Sequence, residues 1–353
     1  MLAPYEVDTG VADALRNFRL PEKLGFGATH APVMFSASYK EGSWESARLI
    51  PYAPIEIWPG ARALQYAELM FEGLKAYRIH QPRPNLFRPQ MNCQRFARSA
   101  ERLAMPIVPE SLFFQGIESV TRTCVDLIPG ESGRSLYLRP FLFGTESGYL
   151  LRNSHTFRFM VIANPVESYA SGEASIAIER REVRAAVGGI GACKASANYA
   201  ASLRASSAAV RQGHTVALWL DAAERRYIQE LSGMNFFAVI DGELHTPELD
   251  GAILPGITRD SLIALARHRG QSVHERRMDI DELLTQVREG RCSELFACGT
   301  AAIVMPIAAL ADADGREYRP REVNALAAGL REELLAIQER RATDPFGWTR
   351  IIE

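Results

Sequence analysis

Lysine is scarce in this chain. Lys23, Lys40, Lys75 and Lys194 are the four lysines among 40 basic residues; the other 36 are arginine. Cysteine is scarce as well. Cys93, Cys124, Cys193, Cys292 and Cys298 are odd in number and widely spaced. That excludes a disulfide framework and fits a reduced, cytoplasmic protein. C-x-x-C is missing, and the seven histidines are scattered, so no metal site is expected. Neither sign of charge is in excess: 40 basic against 42 acidic residues leave a net −2. This argues against nucleic-acid and polybasic membrane partners. Long apolar runs are lacking too. The longest, Ala301 to Ala311, contains Pro306 and is too short to span a bilayer. The opening MLAPYEVDTG has neither a basic nor an apolar signal region, so no secretory signal is expected.

The 353 residues are 47% apolar and 23% charged, a globular composition long enough for about two domains. The first half reads as strands with some helices. APVMFSASYKEGSWESARLIPYAPIEI suggests strands paired around a Lys-Glu-Gly turn, and LKAYRIH with NLFRP a hairpin. MNCQRFARSAERLAM has helical spacing and stops at Pro106; SLYLRPFLF and TFRFMVIANPV read as strands. The second half alternates strands such as SIAIERREV, TVALWLD and MNFFAVI with helices. One helix ends at Gly213. Thr258 can cap another, running to about Arg269, and Asp279 with Glu282 forms a capping box for a third. Val323, Leu326, Leu330, Leu334 and Ile337 make the packing stripe of a late helix. The expected architecture is α+β in two domains: a small N-terminal α/β domain over 1–167, a linker over 168–180, and a larger C-terminal domain over 181–353.

Wherever a plain positive charge sufficed, this chain uses arginine, so a remaining lysine invites a question about amine chemistry. Lys23 and Lys40 lie in loop-like surroundings, and Lys75 reads as a solvent-facing strand residue. Lys194 differs. It follows VGGIGAC and precedes ASANYAASL, with no charged residue between Arg184 and Arg204 apart from itself. Either it is an exposed loop lysine or it is a desolvated amine able to form a Schiff base. GGIGACK matches neither the P-loop nor G-x-G-x-x-G; it is a strand-to-helix turn, or a place where glycines let a cofactor ring approach. LPGITRDS opens a helix whose first N–H groups suit a phosphate, although many helices start so without a ligand. ACGTAA, from Ala297 to Ala302, offers a hydroxyl and N–H groups to an anion, or is an ordinary turn. Glu230, in the sparsely charged YIQELSGMNFF, needs a cation if buried. That cation is one of the many arginines or a protonated heterocycle.

Taken in order, FEGLKAYR, N-x-x-R-x-x-R-S-A, YLRPFLFGTE, GACK-x-x-x-NYAASL, WLDAAERRYIQELSGMN, LPGITRDSL and CGTAA resemble the branched-chain aminotransferases. These are class IV aminotransferases with the fold-type IV, D-amino-acid-aminotransferase-like fold. The resemblance implies pyridoxal 5′-phosphate held as a Schiff base on Lys194, whose freed amine then moves a proton between substrate Cα and the cofactor. It implies that Glu230 pairs with the ring nitrogen and Tyr199 with the phenolic oxygen. Arg95, Ile257, Thr258 and Thr300 would hold the phosphate. Tyr66, Phe71, Tyr137 and Tyr169 would wall the side-chain pocket, with Arg139 for glutamate's distal carboxylate. Ala301, in Gly299-Thr300-Ala301, would face the α-carboxylate.

The implied reaction exchanges an amino group between a branched-chain or other hydrophobic L-amino acid and 2-oxoglutarate, in a homodimer. The chain also departs from the family. Ser196-Ala197 replaces a paired glycine, Ser232 replaces a glycine, and SGYLLRNS (147–154) stands where the family shows a Pro and then Leu-Gly-Val. These departures support an alternative, a tailoring aminotransferase for an unusual or aromatic amino acid.

Overall fold

The computed structural model describes residues 5–45, 47–167, 174–321 and 325–353. The chain divides into two units: Met1–Tyr169, Lys194–Ser196 and Ile337–Glu353 form the first, Ala170–Cys193 and Ala197–Ala336 the second. The blocks expected over 1–167, 168–180 and 181–353 are consecutive; the observed units are not. Two long-range pairings explain why the C-terminus belongs to the first unit. Strand Thr349–Ile351 pairs antiparallel with Asn85–Phe87. Glu339, fully buried, accepts hydrogen bonds from Ser132 Oγ at 2.8 Å and Gly133 N at 2.6 Å. Within the expected linker, 174–179 is strand Ala174–Glu179, alternating buried and half-buried residues. Residues 168–173, including Tyr169, lie outside the described residues.

The first unit is built on a ten-stranded sheet. Its spine is the pair Ser135–Gly144 and Phe157–Val166, in register from Ser135↔Val166 to Gly144↔Phe157. Val33–Lys40 flanks one side of this pair. Leu69–Phe71 and Leu74–Tyr77 flank the other. The Lys-Glu-Gly turn forms as expected: Glu41 and Gly42 have φ of 52° and 83° and join Val33–Lys40 to Ser43–Trp44. Helices Pro89–Arg102 and Glu110–Thr123 contribute Phe96 and Phe113, which pack with Phe159. All three rings are buried, and such aromatic pairs add about 0.5–1.5 kcal/mol beyond area burial.

The second unit is built on a nine-stranded sheet. Six strands run Ile228–Leu231, Val216–Leu220, Ala174–Glu179, Ile303–Ala311, Cys292–Gly299, Met234–Ile240, and the last pairs back with the first. This closes a ring in which those edges are paired. The stretch YIQELSG thus contains a strand. All four residues of Ile228–Leu231 are buried, so the strand lacks the half-exposed alternation that reveals one in sequence. Helix Ile257–His268 starts at Gly256 and not at Thr258, which sits in its first turn. Gly256 is extended at ψ 132°, and its carbonyl already accepts the first helical bond, from Asp260 N at 3.0 Å.

Asp279 caps helix Ile280–Glu289 as expected, accepting from Asp281 N at 2.9 Å and Glu282 N at 3.3 Å. The Glu282 side chain accepts from Gln286 Nε2 at 2.8 Å. Leu330, Leu334 and Ile337 are buried on helix Ala325–Gln338; Val323 lies outside the described residues. Asp279→Ala removes the acceptor for two amides and should lower unfolding free energy by about 1 kcal/mol, read from the urea midpoint at unchanged slope.

Candidate functional site

In the first unit, Lys194 is held by its backbone. Phe71 N donates to Lys194 O at 3.1 Å, Met70 and Ala195 form an antiparallel bridge, and Lys194 N donates to Ser99 Oγ at 3.2 Å. The side chain is half-buried, with Nζ 4.9 Å from the centroid of the Phe71 ring. Arg139 lies over the same ring at 4.4 Å, and its Nη2 donates to Tyr137 Oη at 3.2 Å. Phe71, Tyr137, Arg139 and Lys194 thus form one group. Gly73 is required beside it, because a Cβ there would overlap the Tyr137 hydroxyl. Lys23 and Lys40 are exposed as expected, but Lys75 is buried and not solvent-facing. Its strand, Leu74–Tyr77, is buried along its whole length.

Sequence reasoning missed Glu72, which is fully buried next to this group. Its Oε1 accepts from Arg95 Nε at 2.7 Å; its Oε2 accepts from Arg95 Nη2 at 2.9 Å, Asn92 Nδ2 at 2.7 Å and Gly73 N at 3.1 Å. Burial pushes its carboxyl upward, but Arg95 first, then Lys194 and Asn92, bring it below the usual carboxylate range. Glu72 is therefore an anion paired with the Arg95 guanidinium. Arg95, expected at a phosphate, has two of its nitrogens on this carboxylate. The available signal was the motif pair itself, since Glu72 lies inside FEGLKAYR and Asn92 opens N-x-x-R.

Tyr66 belongs to another part of the first unit. It is 44% exposed, and its hydroxyl donates to Tyr149 O at 2.7 Å. It thus touches the altered 147–154 loop. That loop is pinned from below by buried Arg62, whose Nη1 donates to the carbonyls of Leu150 and Arg152. Tyr149, Leu150 and Leu151 are left exposed.

In the second unit, Asn198 Nδ2 donates to Ile190 O at 2.8 Å and Cys193 O at 2.9 Å. It ties the glycine turn to helix Ser196–Arg211, which carries half-buried Tyr199. Glu230 is buried on the strand that closes the ring, and its register partner is Asn235. Asn235 Nδ2 donates to Glu230 Oε2 at 3.0 Å and to Leu254 O at 3.0 Å. Leu254 N donates to Glu230 Oε1 at 3.4 Å. The expected arginine partner exists as well: Arg184 Nη2 lies 2.8 Å from Glu230 Oε1.

Gly256 must be glycine, since a Cβ would overlap Asn235 Oδ1. This brings the buried residues Ile257 and Thr258 to a helix start beside the Glu230–Asn235 pair. On the other side of Asn235 lies Cys298, and its strand leads to the turn holding half-buried Thr300 and Ala301. Ser232, the departure from glycine, accepts from Trp219 Nε1 at 2.8 Å and bonds Ser206 Oγ at 2.9 Å. It ties the turn after Glu230 to the helix bearing Tyr199.

Glu243, His245 and His274 bring ligand-type atoms within 4.8 Å of one another. Arg276 Nε donates to His245 Nδ1 at 3.1 Å. Burial, then Arg276 and His274, push that imidazole down to about 4. A neutral ring accepting at Nδ1 carries its proton on Nε2, so neither nitrogen offers a lone pair to a metal.

The family description Amino-transferase class IV matches residues 69–310. The chain belongs to the class IV aminotransferases. It is 43% identical to the branched-chain-amino-acid aminotransferase of Mycobacterium tuberculosis (strain CDC 1551 / Oshkosh), over 95% of this chain and 94% of the relative. It is 40% identical to branched-chain-amino-acid transaminase 1 of Bacillus subtilis (strain 168), over 93% and 94%. A T.th. branched-chain amino acid aminotransferase complexed with N-(5′-phosphopyridoxyl)-L-glutamate aligns with a TM-score of 0.72 at 29% identity, covering 90% of this chain and 98% of that one. Within the class this chain is accordingly a pyridoxal-phosphate-dependent transaminase of the branched-chain type.

Glu72→Gln should leave the Arg95 guanidinium buried without its counter-ion and cost about 3–5 kcal/mol, measured by denaturant unfolding at pH 7. Because the native carboxyl is held low, its stabilisation is present above the unfolded-state pKa and is lost as pH falls through the native one. Wild-type stability should therefore decline in acid below the ordinary carboxylate range, and the variant should lack that component.

Proposed function

We propose that this protein exchanges amino groups between leucine, isoleucine or valine and 2-oxoglutarate, with the two residue groups above serving the cofactor and substrate. The observation that carries this reading is Phe71, whose ring is flanked by both the Lys194 amine and the Arg139 guanidinium. An aliphatic side chain can be buried on Phe71 and Tyr137, while glutamate's extra carboxylate is caught by Arg139. One pocket then serves both half-reactions.

The residues fit pyridoxal phosphate by their own chemistry. A half-buried amine, a buried carboxylate aligned by fixed donors, and a helix start capped by glycine match its aldehyde, ring nitrogen and phosphate. When bound, pyridoxal phosphate supplies an electron sink for charge developing at the substrate Cα. Lys194 Nζ holds the cofactor at rest and moves the Cα proton. The Glu230 carboxylate favours a protonated ring nitrogen. Tyr199 would face the phenolic oxygen, and Ile257, Thr258, Thr300 and Arg95 would receive the phosphate. Glu72 orients Arg95. Ala301 would face the α-carboxylate.

A cytoplasmic homodimer belongs to the same reading. All five cysteines are buried, and among the described residues none forms a disulfide. Trp58, Leu64 and Leu151 are exposed large apolar side chains suited to a second copy. No described helix is long and apolar enough to cross a membrane.

Lys194→Ala should abolish turnover; a full-rate variant would sink the reading. With 2-oxoglutarate as acceptor, leucine, isoleucine and valine should all react readily. Turnover confined to an aromatic or unusual amino acid would select the tailoring alternative raised by the 147–154 loop. Arg139→Gln should raise KM for glutamate and 2-oxoglutarate about tenfold or more, since a lost charged hydrogen bond costs about 1.5–3 kcal/mol. The leucine half-reaction should change far less.

A further inference from the structure

We infer that Arg184 is a positioning residue for Glu230: it holds the carboxylate ionised and turned so that a proton shared with a heterocyclic nitrogen stays on the nitrogen. The inference rests on the assignment of Glu230 to the cofactor ring.

Arg184 and Glu230 are almost completely enclosed, with side-chain exposures of 6% and 5%. Arg184 Nη2 contacts Glu230 Oε1 at 2.8 Å and also donates to Ala252 O. Ala252 lies in the segment that leads through Leu254 to Gly256 and the helix start at Ile257. One cation therefore ties the carboxylate to the chain that forms the expected phosphate cradle. Arg184 Nε is buried and makes no hydrogen bond among the described residues. A buried donor left unmade weakens the case for Arg184 as a device of stability and calls for another account.

The two carboxylate oxygens are served differently. Oε1 receives the guanidinium and the Leu254 amide; Oε2 receives the neutral Asn235 amide. The cation on Oε1 lowers the proton affinity of the whole group, and burial strengthens that effect. A heterocycle that brings its proton to this carboxylate then keeps it. Without Arg184, the proton affinity of Glu230 rises, the proton moves toward the carboxylate, and the ring loses positive charge.

The Cys298 thiol lies in the field of the same carboxylate. Burial pushes the Cys298 thiol well up; Arg259 opposes this and Glu230 adds to it. Arg259 is itself buried, donating to Pro247 O at 2.9 Å and Glu275 Oε2 at 3.0 Å.

The test is the pH titration of the visible absorbance of the holoenzyme. Less positive charge in the conjugated ring system makes the imine hold its proton more tightly. Arg184→Met should raise the midpoint by about one pH unit, a tenfold change in proton affinity. Arg184→Lys, which keeps a cation, should restore at least half of that shift. Glu230→Gln should move the midpoint in the same direction. An unmoved midpoint in Arg184→Met beside a shifted one in Glu230→Gln overturns the role of Arg184 alone. An unmoved midpoint in Glu230→Gln overturns the assignment of Glu230 to the ring. If Arg184→Met does not fold, Arg184→Gln replaces it. Glutamine can bond without charge, so a wild-type midpoint there overturns the inference and a raised one supports it.

Discussion

Glu72 and Glu230 are each buried as the partner of a guanidinium group, and the placement of the chemistry depends on that pairing. A buried anion is costly unless a cation and hydrogen-bond donors compensate it. Glu72 obtains Arg95, Asn92 and a backbone amide. Glu230 obtains Arg184, Asn235 and another backbone amide. These pairs are weak evidence for stability, since apolar replacements of similar shape are often as stable. Their value lies in orientation. Fixed donors set the direction of each carboxylate, and each carboxylate sets the field felt by a reactive group.

The two scaffolds achieve this with different means. In the first unit, a long antiparallel pair carries Tyr137 and Arg139, and a short neighbouring strand carries Phe71. The three-residue segment Lys194–Ser196 runs beside that short strand, so the amine is held by backbone contacts and an aromatic face. In the second unit, the tight hairpin through Ser232 and Gly233 makes Glu230 and Asn235 cross-strand neighbours. The absence of a side chain at Gly256 then lets the next helix start approach Asn235. Sites built on paired strands are held more closely than sites on loops. The 147–154 loop is the contrast: Arg62 anchors its carbonyls, while Tyr149, Leu150 and Leu151 project outward.

Much of this was legible from residue order. Strand and helix patterns located the long hairpin of the first unit, the Asp279 cap and the late helix stripe, because each is a local signal of period or capping. The scarcity of lysine and the small-residue surroundings of Lys194 singled out the amine. The motif resemblance identified the cofactor and the branched-chain type of reaction. Lys75 was misread because an alternating run looks half-exposed, whereas its strand is covered on both faces. Thr258 was misread as a cap because Gly256 can adopt the cap conformation without offering a side chain.

Local pattern and chemistry determined which elements form and which residue types can carry an amine, a phosphate or an aliphatic side chain, since those properties travel with a few neighbouring residues. Only the tertiary structure decided which arginine, of 36, meets which carboxylate. It also decided that the C-terminal strand joins the first unit and that Glu230 faces Asn235. The ion-pair partners and the C-terminal strand are far from their partners along the chain, Glu230 meets Asn235 through the register of a hairpin, and register and burial have no counterpart in a linear pattern.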